Sequence, residues 1–242
     1  MPCGAGNSLA LRCLGGSIIP PPATYNPGQI YWVSVRLLLL AAALALPMAA
    51  QTLLPARPGV ILYREGEVWL DRTAVEISPA GRLEMYPNAA LTTGNGRAEV
   101  LLNPCTLLHL GERGSLRMVV NSLTAARLEL LAGSAVVEAD GGSRIGSVEV
   151  MIASRVVRIA QSGVYRFDTA PPRLRVYFGA AELEGGPRRL AGGLAVDLTS
   201  VRSGRFDRKQ VDALQEWNDY RVRTLMDESG IVKFDRPRIC TP

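Results

Sequence analysis

The sequence predicts a mainly β protein: antiparallel strands and hairpins stacked as an elongated sandwich, roll or solenoid-like body, followed by one C-terminal amphipathic α-helix. Three observations predict it. From residue 58 to 200, short β-rich runs such as "RAEVLL", "SLRMVV", "RLELLAG", "SVEVMIAS" and "RLRVYFG" succeed one another, nearly all ending at Gly, Asn, Ser or Pro. Within the runs apolar residues keep a period of two: Ala98, Val100 and Leu102 alternate with Arg97, Glu99 and Leu101, and Leu174 and Val176 with Arg173 and Arg175. That alternation marks half-buried antiparallel strands. The third observation is the single long helical pattern, which comes only after the strands and so speaks against βαβ folds.

The 242 residues allow one or two domains, and 48% hydrophobic residues allow a sizeable core. The formal charge is +5, but the basic residues are scattered and no basic block exceeds two residues. Nucleic-acid binding needs a concentrated basic face with aromatics set into it, so no nucleic-acid partner is expected.

Residues 1–32 show no period and end in Pro and Gly clusters, and the sequence predicts an unstructured extension there, with Val33 and Val35 as alternative translation starts. Residues 33–50 read as a secretory signal: Arg36, an apolar run from Leu37 to Ala50, then a cut between Ala50 and Gln51. The run is shorter than the roughly 20 residues that span a bilayer. The alternative is an uncut anchor that would hold the chain at a membrane. Export places the protein in the periplasm or cell envelope.

The β region, 58–200, opens with "GVILYREGEVWLDRTAVEI", where two β-rich runs flank Arg64-Glu65-Gly66 as in a hairpin. Alternating arginines (Arg155 and Arg158, Arg173 and Arg175) and the pair Glu182 and Glu184 are read as solvated strand faces rather than as an anion site or an acid–base pair.

The helix is expected over 206–227, in "FDRKQVDALQEWNDYRVRTLMDESG". Asp207 caps it, Gln210 completes a capping box, and Phe206 staples to Val211. Val211, Leu214, Asn218, Val222 and Leu225 form a stripe with Trp217 beside it, which docks on the β body. Residues 228–242 form a tail.

Candidate chemistry is sparse. In an exported chain Cys105 and Cys240 are a candidate disulfide, the alternative being two separate thiols. One histidine, His109, and no paired cysteines leave no metal site and no cofactor expected. His109 lies in "TLLHLG", where a solvent-facing or satisfied strand histidine is the reading, and Ser115 and Ser134 lack a nucleophile-elbow context. The sequence reads as non-enzymatic. Tyr63, Trp69, Tyr165 and Tyr177 are rings that a carbohydrate- or peptidoglycan-binding surface would use, although strand aromatics ordinarily pack inward.

The segments "GEVWLDR", "LEMYPNAALTTGNGRAEVLLNPCTLLHLGERGSLRMV" and "RLELLAGSAVVEA", in that order, resemble the FecR domain over about residues 58–140, with the later strands matching more loosely. The helical stretch after residue 200 also resembles the tail of some exported FecR-domain proteins. The founding members are inner-membrane regulators of an extracytoplasmic-function sigma factor, whose periplasmic β domain receives a signal from a TonB-dependent outer-membrane receptor. The resemblance implies a periplasmic protein-interaction or sensing module with an envelope protein as partner. Residues 1–32 lack the pattern of a sigma-binding segment, and Asn103-Pro104-Cys105 stands where the family usually carries a "DGS"-like turn.

Overall fold

The structure is a computed structural model and describes residues 58–77, 83–140, 146–186 and 189–229. The expected extension, signal, Ala50–Gln51 cut, Cys240 and most of the tail lie outside the described residues.

Seventeen strands and one helix occur among the described residues. The strands are β1 (Val60–Glu65), β2 (Val68–Leu70), β3 (Thr73–Ala74), β4 (Ala90–Thr93), β5 (Arg97–Asn103), β6 (Thr106–Leu110), β7 (Ser115–Asn121), β8 (Ala125–Ala132) and β9 (Ser134–Ala139). They continue as β10 (Ser147–Ile152), β11 (Arg155–Ile159), β12 (Gly163–Thr169), β13 (Pro172–Phe178), β14 (Ala180–Leu183), β15 (Leu190–Ala191), β16 (Leu194–Asp197) and β17 (Ser203–Arg205), and the helix α1 spans Ala213–Ser229.

Two sheets form, as the mainly β expectation requires. Sheet A has eight strands in the order β1-β5-β6-β9-β12-β13-β16-β17, and sheet B has nine in the order β15-β14-β11-β10-β8-β7-β4-β2-β3. Successive pairs of strands mostly alternate between the sheets, as β5–β6 (A), β7–β8 (B), β12–β13 (A) and β14–β15 (B) do. All neighbours are antiparallel except β8 and β10, which run parallel because β9 between them belongs to the other sheet. Of the three architectures the sequence allows, this is the sandwich, built by hairpins that step from sheet to sheet.

The core lies between the sheets. Ala98, Val100 and Leu102 of β5 and Leu174 and Val176 of β13 meet Leu128, Leu130, Val148, Val150 and Val157 of sheet B in one cluster. Period two is the cause, since it aims alternate residues of every strand inward. On β8 burial alternates as expected, whereas β5, β6 and β12 are buried at nearly every position. Their second face is covered too, by α1.

Two sequence expectations are corrected. Arg64-Glu65-Gly66 does not close a hairpin: β1 pairs with β5, while β2 pairs with β3 and β4 in the other sheet. The turn is a crossing, and it stacks on the β4–β5 crossing so tightly that a Cβ on Gly66 would stand 2.8 Å from the Gly96 Cα. Gly163 and Gly179 bring the β11–β12 and β13–β14 crossings together in the same way, at 2.9 Å. Glycine permits these approaches because any side chain would occupy the neighbouring backbone.

The helix start is the second correction. Asp207 makes only a local turn, through its carboxylate to the Lys209 N–H and its carbonyl to the Gln210 N–H. Phe206 packs edge-on against Tyr177 rather than on Val211, which is exposed. Asp212 is the cap, accepting the Gln215 N–H at 3.1 Å. The same Asp-x-x-Gln spacing occurs at 207–210 and at 212–215. Tertiary structure selects the second, because only Asp212 also reaches the buried Arg166 guanidinium.

Candidate functional site

The outer face of sheet A carries a row of polar side chains in register. Tyr63 on β1 lies opposite Glu99 on β5, Glu99 opposite His109 on β6, His109 opposite Val136 on β9, Val136 opposite Arg166 on β12, and Arg166 opposite Arg175 on β13. In isolation this would be a wet face. Instead α1 lies over it, and Glu99, His109, Arg166 and Arg221 are all buried.

At one end Glu99 and His109 are both fully buried, with the His109 Nε2 at 3.1 Å from the Glu99 Oε2. Arg221, one of the inward residues of α1, donates from Nε to the same oxygen at 3.0 Å and from Nη2 to Oε1 at 3.2 Å. Its guanidinium also stacks 3.8 Å from the Tyr63 ring centroid. Two-point binding by a planar cation is the geometry that best satisfies a buried carboxylate. Burial alone would raise the Glu99 pKa; hydrogen bonds and charge from His109 and Arg221 outweigh it and hold the carboxyl below its ordinary value.

Trp217 closes this cluster, its ring edge-on to His109 with centroids 5.3 Å apart. Arg97, paired with Glu65 and Glu112 at the rim, places its guanidinium over the indole at 5.9 Å from the ring centroid. The His109 Nδ1 and the Trp217 Nε1 have no hydrogen-bond partner among the described residues. His109 is thus a strand histidine satisfied on one nitrogen and sealed from solvent.

At the other end Arg166 donates to Asp168 at 2.9 Å and to the helix cap Asp212, while Arg175 and Ser134 also donate to Asp168 at 2.7 and 2.8 Å. Burial pushes the Asp168 pKa up, but Arg166, Arg175 and Ser134 together bring it below the ordinary value. Arg175 is therefore part of an ion-pair network and not a solvated strand arginine. Between the two ends, Asn218 of α1 donates to Glu138 at 3.0 Å.

Apolar contacts flank the polar row. Leu214 and Trp217 pack with Val136, Val164 and Tyr177, and Val222 and Met226 with Val60, Leu62, Leu101 and Leu107. The stripe differs from the sequence reading in that Trp217 and Arg221 belong to it and Val211 does not. Asn218, the one polar residue in the stripe that the sequence predicts, is the sequence sign that the facing sheet is polar.

The outer face of sheet B is uncovered by the helix, and its arginines reach solvent over a buried Glu149. Arg127, Glu149, Arg158 and Glu182 lie opposite one another across four strands. Glu149 accepts from Arg127 at 2.7 Å and from Arg158 at 3.1 Å, and Arg158 stands 3.7 Å from Glu182. A shallow groove of about 450 Å³ runs along this row. Arg158 and Glu182 occupy the solvated face that the sequence assigned to them.

The four rings offered for carbohydrate binding make no platform. Tyr165 and Tyr177 are buried, and Tyr63 and Trp69 are half-buried. Tyr165 sits in the core, its hydroxyl donating to the Gln161 carbonyl, and burial pushes its pKa up to about 12.

No protein-family model matches the chain, and no curated protein matches it. Among solved structures it is similar to two crystal structures of candidate anti-sigma factors from Parabacteroides distasonis ATCC 8503. One has a TM-score of 0.42 at 14% identity, covering 60% of this chain and 79% of that one. The other has a TM-score of 0.40 at 14% identity, covering 54% and 63%. At these values the likeness assigns neither a family nor an activity.

Cys105 occupies the turn between β5 and β6, buried, its N–H donating to the Asn103 side chain and its carbonyl accepting from Asp140. It is disulfide-bonded. Cys3, Cys13 and Cys240 all lie outside the described residues. Among the described residues no helix is long and apolar enough to cross a membrane, and no group of three or more His, Cys, Asp or Glu is placed to hold a metal ion.

Proposed function

We propose that the chain is a non-enzymatic protein of the cell envelope whose β sandwich serves as a protein-interaction or signal-sensing module, exported by residues 33–50 and cut between Ala50 and Gln51. The observation that carries this reading is the sealing of His109. The cluster of Glu99, His109 and Arg221 is the richest chemistry among the described residues, yet it lies beneath Trp217, where no substrate reaches it and where its charges hold α1 to sheet A. A general base must come within hydrogen-bond reach of the group it deprotonates. Open to a partner among the described residues are strand edges and the charged face of sheet B, surfaces that protein recognition uses.

Export has a second support in Cys105. Disulfides persist in oxidising compartments, and we assign its partner as Cys240. Val222 and Met226 rest on Leu101 and Leu107, so α1 ends over the hairpin whose turn bears Cys105. The FecR-like order of hairpins and glycine turns points the same way, toward a periplasmic domain that relays a signal by contact.

The test is in-cell crosslinking of the full chain followed by capture from envelope and cytosolic fractions. A defined partner crosslinked in the envelope fraction is expected. A chain recovered from the cytosol, or a monomer that crosslinks to nothing in the envelope, contradicts the reading. Intact mass under non-reducing conditions tests the rest: a mature chain starting at Gln51 and lighter by two hydrogens than its reduced form is expected.

A further inference from the structure

We infer that β17 is the docking edge and that its partner is an extended acidic segment, added as a further strand of sheet A. This rests on the interaction role proposed above and specifies its surface.

β17 is the last strand of sheet A, and all three of its residues are exposed. It pairs with β16 through Leu194 opposite Arg205, Ala195 opposite Gly204 and Val196 opposite Ser203. The ladder is continued by the Asp197 N–H to the Arg202 carbonyl and the Phe206 N–H to the Gly193 carbonyl. In an antiparallel pair the bonded residues alternate. Arg202, Gly204 and Phe206 therefore face β16, and the N–H and C=O groups of Ser203 and Arg205 face outward, with no partner among the described residues. Nothing stands within 4 Å of a Cβ built on Gly204, so the sheet face beside this edge is also clear.

The other edges are less suited. β1 is covered along part of its length, where the Ile61 N–H donates to the Leu83 carbonyl and the Met85 N–H to the Gly59 carbonyl. β3 and β15 have two residues each.

Charge selects the partner. Arg202, Arg205 and Lys209 are exposed around this edge and take part in no ion pair among the described residues. The two acids close in sequence are turned to the backbone: Asp197 accepts the Thr199 and Ser200 N–H groups, and Asp207 accepts that of Lys209. A second copy presenting the same edge would set arginine against arginine, which disfavours self-pairing. Arg202 and Arg205 differ by an odd number of positions and project to opposite faces of the sheet, so a strand carrying Glu or Asp on both faces meets the free backbone groups and the free cations together.

The experiment titrates the full, isotope-labelled chain with an eight-residue peptide in which pairs of Glu alternate with pairs of Val, setting Glu on both faces of the added strand, and with its Lys-for-Glu counterpart. The acidic peptide is expected to shift the Ser203 and Arg205 amides and slow their hydrogen exchange. It should bind at least about tenfold more tightly than the basic peptide, and lose a similar factor in the Arg202→Glu/Arg205→Glu variant or at high salt. Equal binding of both peptides, shifts that map to another edge, or no binding of the acidic peptide overturns the assignment. The crosslinking test separates this from the broader role: if the double variant still captures the envelope partner in full, β17 is refuted and the interaction module stands.

Discussion

Arg221 and Glu99, 122 residues apart in sequence, meet in a two-point ion pair buried between the C-terminal helix and sheet A. The pair defines what α1 is for. Most of a helix's stability in a protein comes from tertiary packing, and α1 acquires its place by supplying the charge that a buried carboxylate on β5 requires. The polar row on sheet A and the helix over it are each unfavourable alone and compatible together.

Trp217→Ala removes the indole that covers His109 and packs among Val136, Val164 and Leu214. A loss of about 3–5 kcal/mol in urea unfolding is expected, as for other buried aromatics. Tyr220→Ala, on the exposed side of the same helix, is expected to change stability by less than about 0.5 kcal/mol.

Acid should weaken the fold through the two ends of the polar row. The Glu99 and Asp168 pKa values are depressed in the folded protein below the ordinary 4.5 and 3.8, so the unfolded chain binds protons more readily. Their contribution is complete above the ordinary values and is lost as pH falls through the folded ones. Unfolding midpoints measured from neutral pH downward should hold steady to about pH 5 and then decline. In Glu99→Gln the decline should be shallower.

Asp212→Asn and Asp207→Asn distinguish the two candidate helix caps. Asparagine keeps the cap but removes the charge facing Arg166, so Asp212→Asn is expected to destabilise by roughly 1 kcal/mol and Asp207→Asn by less than about 0.5. Asp212→Ala, which loses the cap as well, should be worse than either. Equal effects at the two positions would return the helix start to Asp207.

Legibility in the sequence followed solvent. β8 could be read directly, since Ala126, Leu128 and Leu130 face the core and Arg127 and Glu129 face water. On β5, β6 and β12 the polar residues Glu99, His109 and Arg166 have the same period but are buried by an element that follows much later in the chain. Period two reports which residues share a face and is silent on what covers it. The Arg64-Glu65-Gly66 turn failed for a related reason: a tight turn between two strands looks alike whether the strands pair or cross to opposite sheets. Only the stacked glycines, Gly66 on Gly96, distinguish a crossing, and that contact is tertiary. The helix start was ambiguous because the capping spacing occurs twice, and Arg166 resolves it from another strand.

The central claim is that the buried charges hold the helix to the sheet. It is tested most directly by a double-mutant cycle on Glu99→Gln and Arg221→Met, read by urea unfolding. Each single change leaves a buried charge without its counter-charge and should destabilise, Arg221→Met by about 3–5 kcal/mol. The double variant should recover much of that loss, giving a coupling of at least about 2 kcal/mol. Additive effects with no coupling would contradict the account.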